Sequence, residues 1–205
     1  MAILRIHIYG DPILREKAAT VAAVDDGVRE LIADMTETMY AAGGVGLAAT
    51  QVGILKRLFI ADVAQVEKPD KDSTPKTRSA RNPQRRQLLV FINPEILSSG
   101  TKDCSYTEGC LSLPGIDGEV YRPDSIRVRY QDVEGAAHEI DASGYLARVI
   151  QHEMDHLDGV LFIDRMAPGL RRKLAGELAR MREMAAQNPD GISAEQPKAV
   201  LRGAG

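Results

Sequence analysis

At 205 residues, with 44% hydrophobic and 27% charged residues, the chain can bury a sizeable core without disulfides and has the composition of an ordinary soluble globular domain. No apolar run approaches the roughly 20 residues that cross a bilayer, and the N-terminus lacks the charged-then-apolar order of a secretory signal. Two cysteines, Cys104 and Cys110, make no disulfide framework, and the net charge is −3; a reducing cytoplasm is the expected setting, with neither DNA nor membrane as partner.

Residues 3–9 alternate and predict a short strand. Gly10-Asp11-Pro12 then makes a turn, with Asp11 as N-cap and Pro12 at the first position of a short helix to about Lys17. His7, among alternating apolar residues, reads as structural. From Asp25 or Asp26 to Ala42, Val28, Leu31, Ile32, Met35 and Met39 recur at helical spacing before Gly43-Gly44 ends the helix. The stretch Gly43-Gly44-Val45-Gly46-Leu47-Ala48-Ala49-Thr50-Gln51 is dominated by glycine and alanine, which suits close approach of backbone to backbone or to a ligand. No strand precedes its glycines and no Lys-Ser/Thr follows, so it is no nucleotide loop. It reads as an extended segment offering N–H and C=O groups to a peptide, with Gln51 as a neutral donor.

Residues 58–63 form a strand. Residues 65–87 then carry seven Lys/Arg, three acids and three prolines, and read as a flexible basic loop within the domain. Strands follow at 88–94 and, separately, at 96–99. Glu108-Gly109 before Cys110 and Pro114-Gly115 after it place that thiol on a turn-flanked edge, whereas Cys104 reads as an inert core cysteine. Residues 120–123 are strand-like, and 125–132 and 137–141 form a hairpin with His138 on its exposed phase.

Residues 145–157 predict a helix that is apolar nearly all round and therefore buried. Within it, His152-Glu153-Met154-Asp155-His156 is an HExxH motif. Histidines four apart lie about 40° from each other round the axis and can grip one metal ion, with Glu153 placed to reach a water there. Burying two His, a Glu and an Asp requires partners, and a metal ion would supply them. A last strand is expected at 160–163, a basic amphipathic helix at 164–186, and a frayed tail from 188 to 205. The loop carries net +4 and this helix net +3, so basic charge is concentrated in two appendages.

A hydrolytic metal site keeps three protein ligands and an open position. A protease would place its third ligand downstream, but residue 162 is Phe, and Glu177 and Glu183 lie on the surface-like basic helix. Upstream, Cys110 is the thiolate candidate, giving Cys110, His152 and His156. The stretches Gly44–Gln51, Glu108-Gly109-Cys110-Leu111-Ser112 and Gln151–His156 together resemble, in order and spacing, the three signature motifs of the peptide deformylases, over about residues 3–185.

The resemblance implies removal of the N-formyl group from the initiator methionine of nascent polypeptides. It also implies one divalent metal, natively Fe2+ (Zn2+, Ni2+ or Co2+ possible), on Cys110, His152 and His156. Glu153 would take a proton from the attacking water and give it to the leaving amine, while Gln51 and the Leu111 N–H meet the oxyanion. Gly46 would pair with the substrate main chain; Gly44, Val45, Tyr106, Glu108, Gly109, Tyr145 and Val149 would complete the binding site. The small formyl group would account for the glycine-rich wall. The position seven beyond the cysteine, often basic in the family, is Asp117 here, and the 65–87 loop is longer than in compact members. The basic C-terminal helix resembles a ribosome-docking extension. The expected fold is α+β: short, mostly antiparallel strands around a central buried HExxH helix, plus a C-terminal helix, in one catalytic domain over 1–187. An HExxH peptidase and a metal-stabilised binding module are the competing readings.

Overall fold

The computed structural model describes residues 2–65 and 83–194. Most of the expected basic loop (66–82) and the end of the expected tail (195–205) lie outside the described residues.

Strand β1 shrinks to Arg5–Ile6, and Asp11 accepts from the Ile13 N–H to cap a 3₁₀ turn, Pro12–Arg15. Asp25 accepts from the Val28 N–H and starts helix α1 (Asp26–Ala41), which buries Val28, Ile32, Met35 and Met39 at alternating four- and three-residue intervals. Gly43, at φ 67°, supplies the left-handed residue that ends it. Strands β2 (Gly46–Ala48), β3 (Leu58–Ala61) and β4 (Leu89–Ser99) follow. The hairpin β5 (Asp103–Cys110) and β6 (Leu113–Pro123) comes next, then β7 (Ser125–Gln131) and β8 (Ala137–Ser143). Strands β2-β3-β4-β7-β8, in that order, make an antiparallel sheet, while β5 and β6 pair only with each other. Gly144, at φ 58°, turns the chain from β8 directly into helix α2 (Gly144–Leu157).

Helix α2 is the centre of the fold. Ala147, Val149, Ile150, Met154 and Leu157 pack against Ala48, Phe59 and Phe91 of the sheet. Phe59 and Phe91 are cross-strand partners whose rings stack at 4.6 Å between centroids. Full burial of Ile150 and Leu157 is worth about 1.5–3 kcal/mol each relative to exposure. The expected mixed fold with short antiparallel strands about a buried helix is what the chain adopts.

Several boundaries differ from expectation. Strand β4 runs unbroken from Leu89 to Ser99 where two strands were expected, because Asn93 (φ 51°) and Pro94 sit in a bulge that lets it continue. The Asn93 side chain stabilises the bulge by bonding both backbone groups of Val21 and the side chain of Gln131. Cys104 lies half-buried on β5 rather than in the core, and Tyr145 is an exposed residue of α2. The expected strand at 160–163 is instead a helical turn, α3 (Phe162–Arg165), capped where Asp164 accepts from the Leu161 N–H. Consecutive Phe162 and Ile163 are both buried, which a half-buried strand does not allow. The expected helix at 164–186 is broken: α4 (Pro168–Lys173) begins at a proline that cannot sit in a helix interior, and α5 (Ala175–Gln187) follows Leu174. The tail does not fray at once, since β9 (Ile192–Ser193) returns to pair with β1.

Candidate metal centre and cleft

The turn of the β5–β6 hairpin consists of Leu111 and Ser112, so Cys110 and Leu113 face each other at its tip. Thus the expected presentation of the Cys110 thiol is right, though Pro114 and Gly115 belong to β6 rather than to a turn. Helix α2 carries His152 and His156 one turn apart, their ring centroids 5.1 Å from each other. One ligand atom each from Cys110, His152 and His156 lies within 4.8 Å of the other two, and Cys110 Sγ is 3.1 Å from His156 Nε2. A thiolate and two imidazoles at such separations fit a tetrahedral transition-metal ion with bonds of about 2.0–2.3 Å. Glu153 Oε2 and His156 Nδ1 are buried without a hydrogen-bond partner among the described residues, so Glu153 presents an unused acceptor beside the three ligands.

Around these residues is a cleft of about 500 Å³. Gly44, Val45, Gly46 and Gln51 form one side, Tyr106, Glu108, Gly109, Cys110 and Leu111 another, and Tyr145, Val149, His152 and Glu153 of α2 complete it. Every expected site residue therefore meets here, with His156 just behind the wall at 1% exposure. The glycines have specific causes. A Cβ on Gly46 would run into the Glu153 carboxylate, and one on Gly44 would come 2.8 Å from Leu111 Cδ1. Room for Leu111 and Glu153 accounts for Gly44 and Gly46. The wall is held from outside by Gln65, whose Nε2 donates to the Gly44 carbonyl at 3.1 Å, and by Asp62, whose N–H donates to the Val45 carbonyl. Buried Asp62 in turn accepts from Tyr40 Oη and the Gln87 N–H.

Gln51 is fixed in one orientation. Its side-chain oxygen accepts from the Ala48 N–H at 2.8 Å, which leaves Nε2 facing Ser112 Oγ at 3.1 Å and Cys110 Sγ at 3.4 Å. The N-terminal segment ties the two walls together, with the His7 N–H donating to Gln51 O and the Tyr9 N–H to Ser112 O. His7 is structural, as expected, bonded to Asp11.

Beneath the cleft lies an ionic cluster that the sequence pattern did not reveal. Glu108, 4% exposed, accepts from Arg122 at 2.8 and 3.0 Å, from Arg148 at 2.9 Å and from His152 Nδ1 at 2.9 Å. Arg122 also donates to Asp155, which Arg165 bonds from the other side. The buried Asp155 is therefore partnered by arginines, not by a metal. Glu108 borders the cleft, yet its carboxylate is wholly engaged below it. Holding His152 by Nδ1 fixes the ring and leaves Nε2 for a metal, the usual carboxylate–histidine–metal arrangement. The available signal was Arg148 in the otherwise apolar first half of the helix, since a buried cation demands an anion.

These environments separate the titrations. Burial works against the Glu108 anion, but the bonds from His152 and Arg122 hold its carboxyl far below the usual carboxylate range. Burial pushes Glu153 up to about 7, with the Glu108 charge adding to the effect. Burial likewise pushes His156 well down, and His152 beside it adds to this. Against its own burial, His152 is held well above its ordinary value by Cys110 and Glu108. Two neighbouring carboxyls thus differ sharply, one a fixed anion and the other poised to exchange a proton near neutrality.

The family model for polypeptide deformylase matches residues 3–172. A peptide deformylase of Picosynechococcus sp. is 48% identical over 163 residues, covering 80% of this chain and 79% of its own. One from Zymomonas mobilis is 45% identical over 184 residues, covering 90% of this chain and 97% of its own. The crystal structure of the Thermus thermophilus peptide deformylase superposes with a TM-score of 0.75 at 41% identity, covering 89% of this chain and 99% of that one.

Proposed function

The chain belongs to the polypeptide deformylase family, and from that premise we propose how its own residues carry the reaction. It is a hydrolase that removes the N-formyl group from the N-terminal methionine of formylated polypeptides, releasing formate. We assign the ligand set to Cys110, His152 and His156, with Fe2+ as the native ion and Zn2+, Ni2+ or Co2+ as substitutes. A bound divalent ion supplies Lewis acidity, lowering the pKa of water from 15.7 towards about 7 and polarising a carbonyl oxygen. Metal analysis of anaerobically purified protein, paired with activity, tests the iron assignment; stoichiometric zinc with full turnover and no iron would refute it.

The protein groups do the rest. Glu153, short of one hydrogen-bond partner and titrating near neutrality, accepts the proton of the attacking water and returns it to the amine that leaves. Gln51 Nε2, aimed by the Ala48 N–H, and the Leu111 N–H at the hairpin turn donate to the oxyanion. Gly46 lies in β2, the edge strand of the sheet, where an extended peptide can add as a further strand. Gly44 and Gly109 keep the approach open, while Val45, Tyr106, Tyr145 and Val149 line the methionine pocket. Glu108 acts through His152 rather than on substrate.

The observation that carries this reading is the convergence of Cys110, His152 and His156 within 4.8 Å, beside a Glu153 oxygen with no partner among the described residues. Glu153→Gln is the test. The variant should keep its metal and lose about 10²–10⁴-fold in formate release from a formyl-Met peptide. Undiminished release would overturn the assignment of Glu153, and cleavage of internal bonds without formate would indicate a peptidase.

We further propose that residues 1–187 act as one catalytic domain in the cytoplasm. The exposed Arg172, Lys173, Arg180 and Arg182 of α4 and α5 would attract ribosomal RNA phosphates. Co-sedimentation with ribosomes that is insensitive to salt, or to replacing these four residues, would refute that docking.

A further inference from the structure

Three of the four residues from Gly43 to Gly46 have no side chain with which to anchor this wall of the cleft, so its backbone must be held by others. Asp62, just past β3, is fully buried. Its carboxylate accepts from three neutral donors: Tyr40 Oη of α1 at 2.7 Å, the Gln87 N–H at 3.0 Å and the Ala64 N–H at 3.1 Å. The Ala64 bond closes a turn that brings Gln65 back under the wall, 2% exposed. There its Nε2 donates to the Asp62 and Gly44 carbonyls, each at 3.1 Å, while the Asp62 N–H donates to the Val45 carbonyl at 2.8 Å. Two successive carbonyls of the wall are thus bonded to one turn, and that turn is bonded to α1. Burial and the Asp62 carboxylate push the Tyr40 hydroxyl well above its ordinary value, so it remains a donor at neutral pH. Hydrogen-bonded residues alternate along an antiparallel ladder; with Val45 bonded towards β3, Gly46 turns its N–H and C=O to the free edge of β2.

We propose that Gln65 and Asp62 are positioning residues for substrate binding: they pre-set the Gly44–Gly46 backbone to receive the peptide main chain, and Tyr40 holds them in place from α1. This inference rests on the deformylase reading. None of the three residues lines the cleft, so they act only through the wall. A loosened wall has to be ordered by the substrate at each binding event, and that ordering costs affinity. The wall meets the bound main chain alike in the ground and transition states, and neither the metal ligands nor Glu153 bond to this turn. Its loosening therefore raises KM and leaves kcat near that of wild type. Removing the Gln65 donor should raise KM about three- to tenfold, the effect of one net hydrogen bond.

The test uses the full chain loaded with metal and measures kcat and KM separately for formate release from a formyl-Met tripeptide. Gln65→Met keeps the side-chain length and removes the donor; KM should rise as stated, with kcat within about twofold of wild type. Tyr40→Phe deletes one oxygen from a half-buried ring and should raise KM about twofold. The double variant should fall short of the product of the two, because both act through the same turn. Acetohydroxamate, a ligand for the metal too small to reach the wall, should inhibit wild type and variants equally, whereas a peptide hydroxamate should lose affinity in step with the substrate. KM within about twofold of wild type in Gln65→Met would overturn the positioning role. A fall in kcat at unchanged KM would overturn it too, since that is the mark of a smaller active fraction. If Gln65→Met does not fold, an unchanged KM in Tyr40→Phe overturns the role and a raised KM at wild-type kcat upholds it. Formate release by wild type upholds the deformylase reading whichever way the variants fall, and its absence would overturn that reading and this inference with it.

Discussion

The ionic cluster under the cleft makes a sharp prediction at Glu108. Its carboxylate takes four hydrogen bonds of 2.8–3.0 Å, three from the guanidinium groups of Arg122 and Arg148 and one from His152 Nδ1, and only 4% of the side chain is exposed. Glu108→Gln keeps the volume, removes the charge and turns an amide NH₂ towards groups that can only donate. Removing one partner of a buried ion pair costs about 3–5 kcal/mol; because Arg122 keeps Asp155 at 2.6 Å, the low end applies. For a chain of this size, about 3 kcal/mol lowers Tm by roughly 6–12 °C. His152 also loses the acceptor at Nδ1, which should weaken metal affinity about 10–100-fold. Thermal melting of the metal-free protein and competition with a chelator read the two effects separately. As a control, Glu139→Gln alters an exposed carboxylate paired with Arg127 and Arg129 and should leave both readings unchanged. A Glu108→Gln protein with unchanged Tm and unchanged metal affinity would refute the role given to this cluster.

Gly46→Ala places a methyl group against the Glu153 carboxylate, so formate release should fall at least tenfold with about 1–3 kcal/mol of overpacking. Activity within twofold of wild type would mean that the carboxylate has room to move. Asp164 governs part of the acid stability: burial opposes its charge, but Arg15 and the Leu161 N–H hold its carboxyl below the ordinary value. A depressed folded pKa gives stability that is present above the unfolded value of 3.8 and is lost as pH falls through the folded one. Asp164→Asn should therefore flatten the pH dependence of unfolding below about pH 4, and an unaltered acid limb in chemical denaturation would count against it.

The parts of the site that were legible in the sequence are those set by local geometry. Two histidines four apart can only share a helix face, whereas Cys110 was placed at a reversal through flanking residues that are in fact strand, the turn being Leu111-Ser112. The Asp11 and Gly43 punctuation was equally local. Strand β5 was not legible, because of its eight residues only Glu108 is buried and no apolar alternation marks it. The helical turn at Phe162–Arg165 was missed for a related reason: four apolar residues in a row do not distinguish a strand from a helical wedge.

The ionic cluster escaped for a different reason, since its members come from β5, β6, α2 and α3, and their meeting is a consequence of tertiary packing. Once the fold is known, they account for a cost that the metal alone does not cover. A metal ion on the proposed ligands would partner His152 and His156, but it would leave Asp155 and Arg148 buried on the same helix. Arg122 and Glu108 neutralise those two, and Glu108 then has one lone-pair direction left for His152 Nδ1. Holding the first metal ligand and satisfying the charges of the buried helix are therefore one structural act. It follows that a substitution at Arg122, which touches neither metal nor substrate, should loosen His152 through Glu108 as well as destabilise the fold.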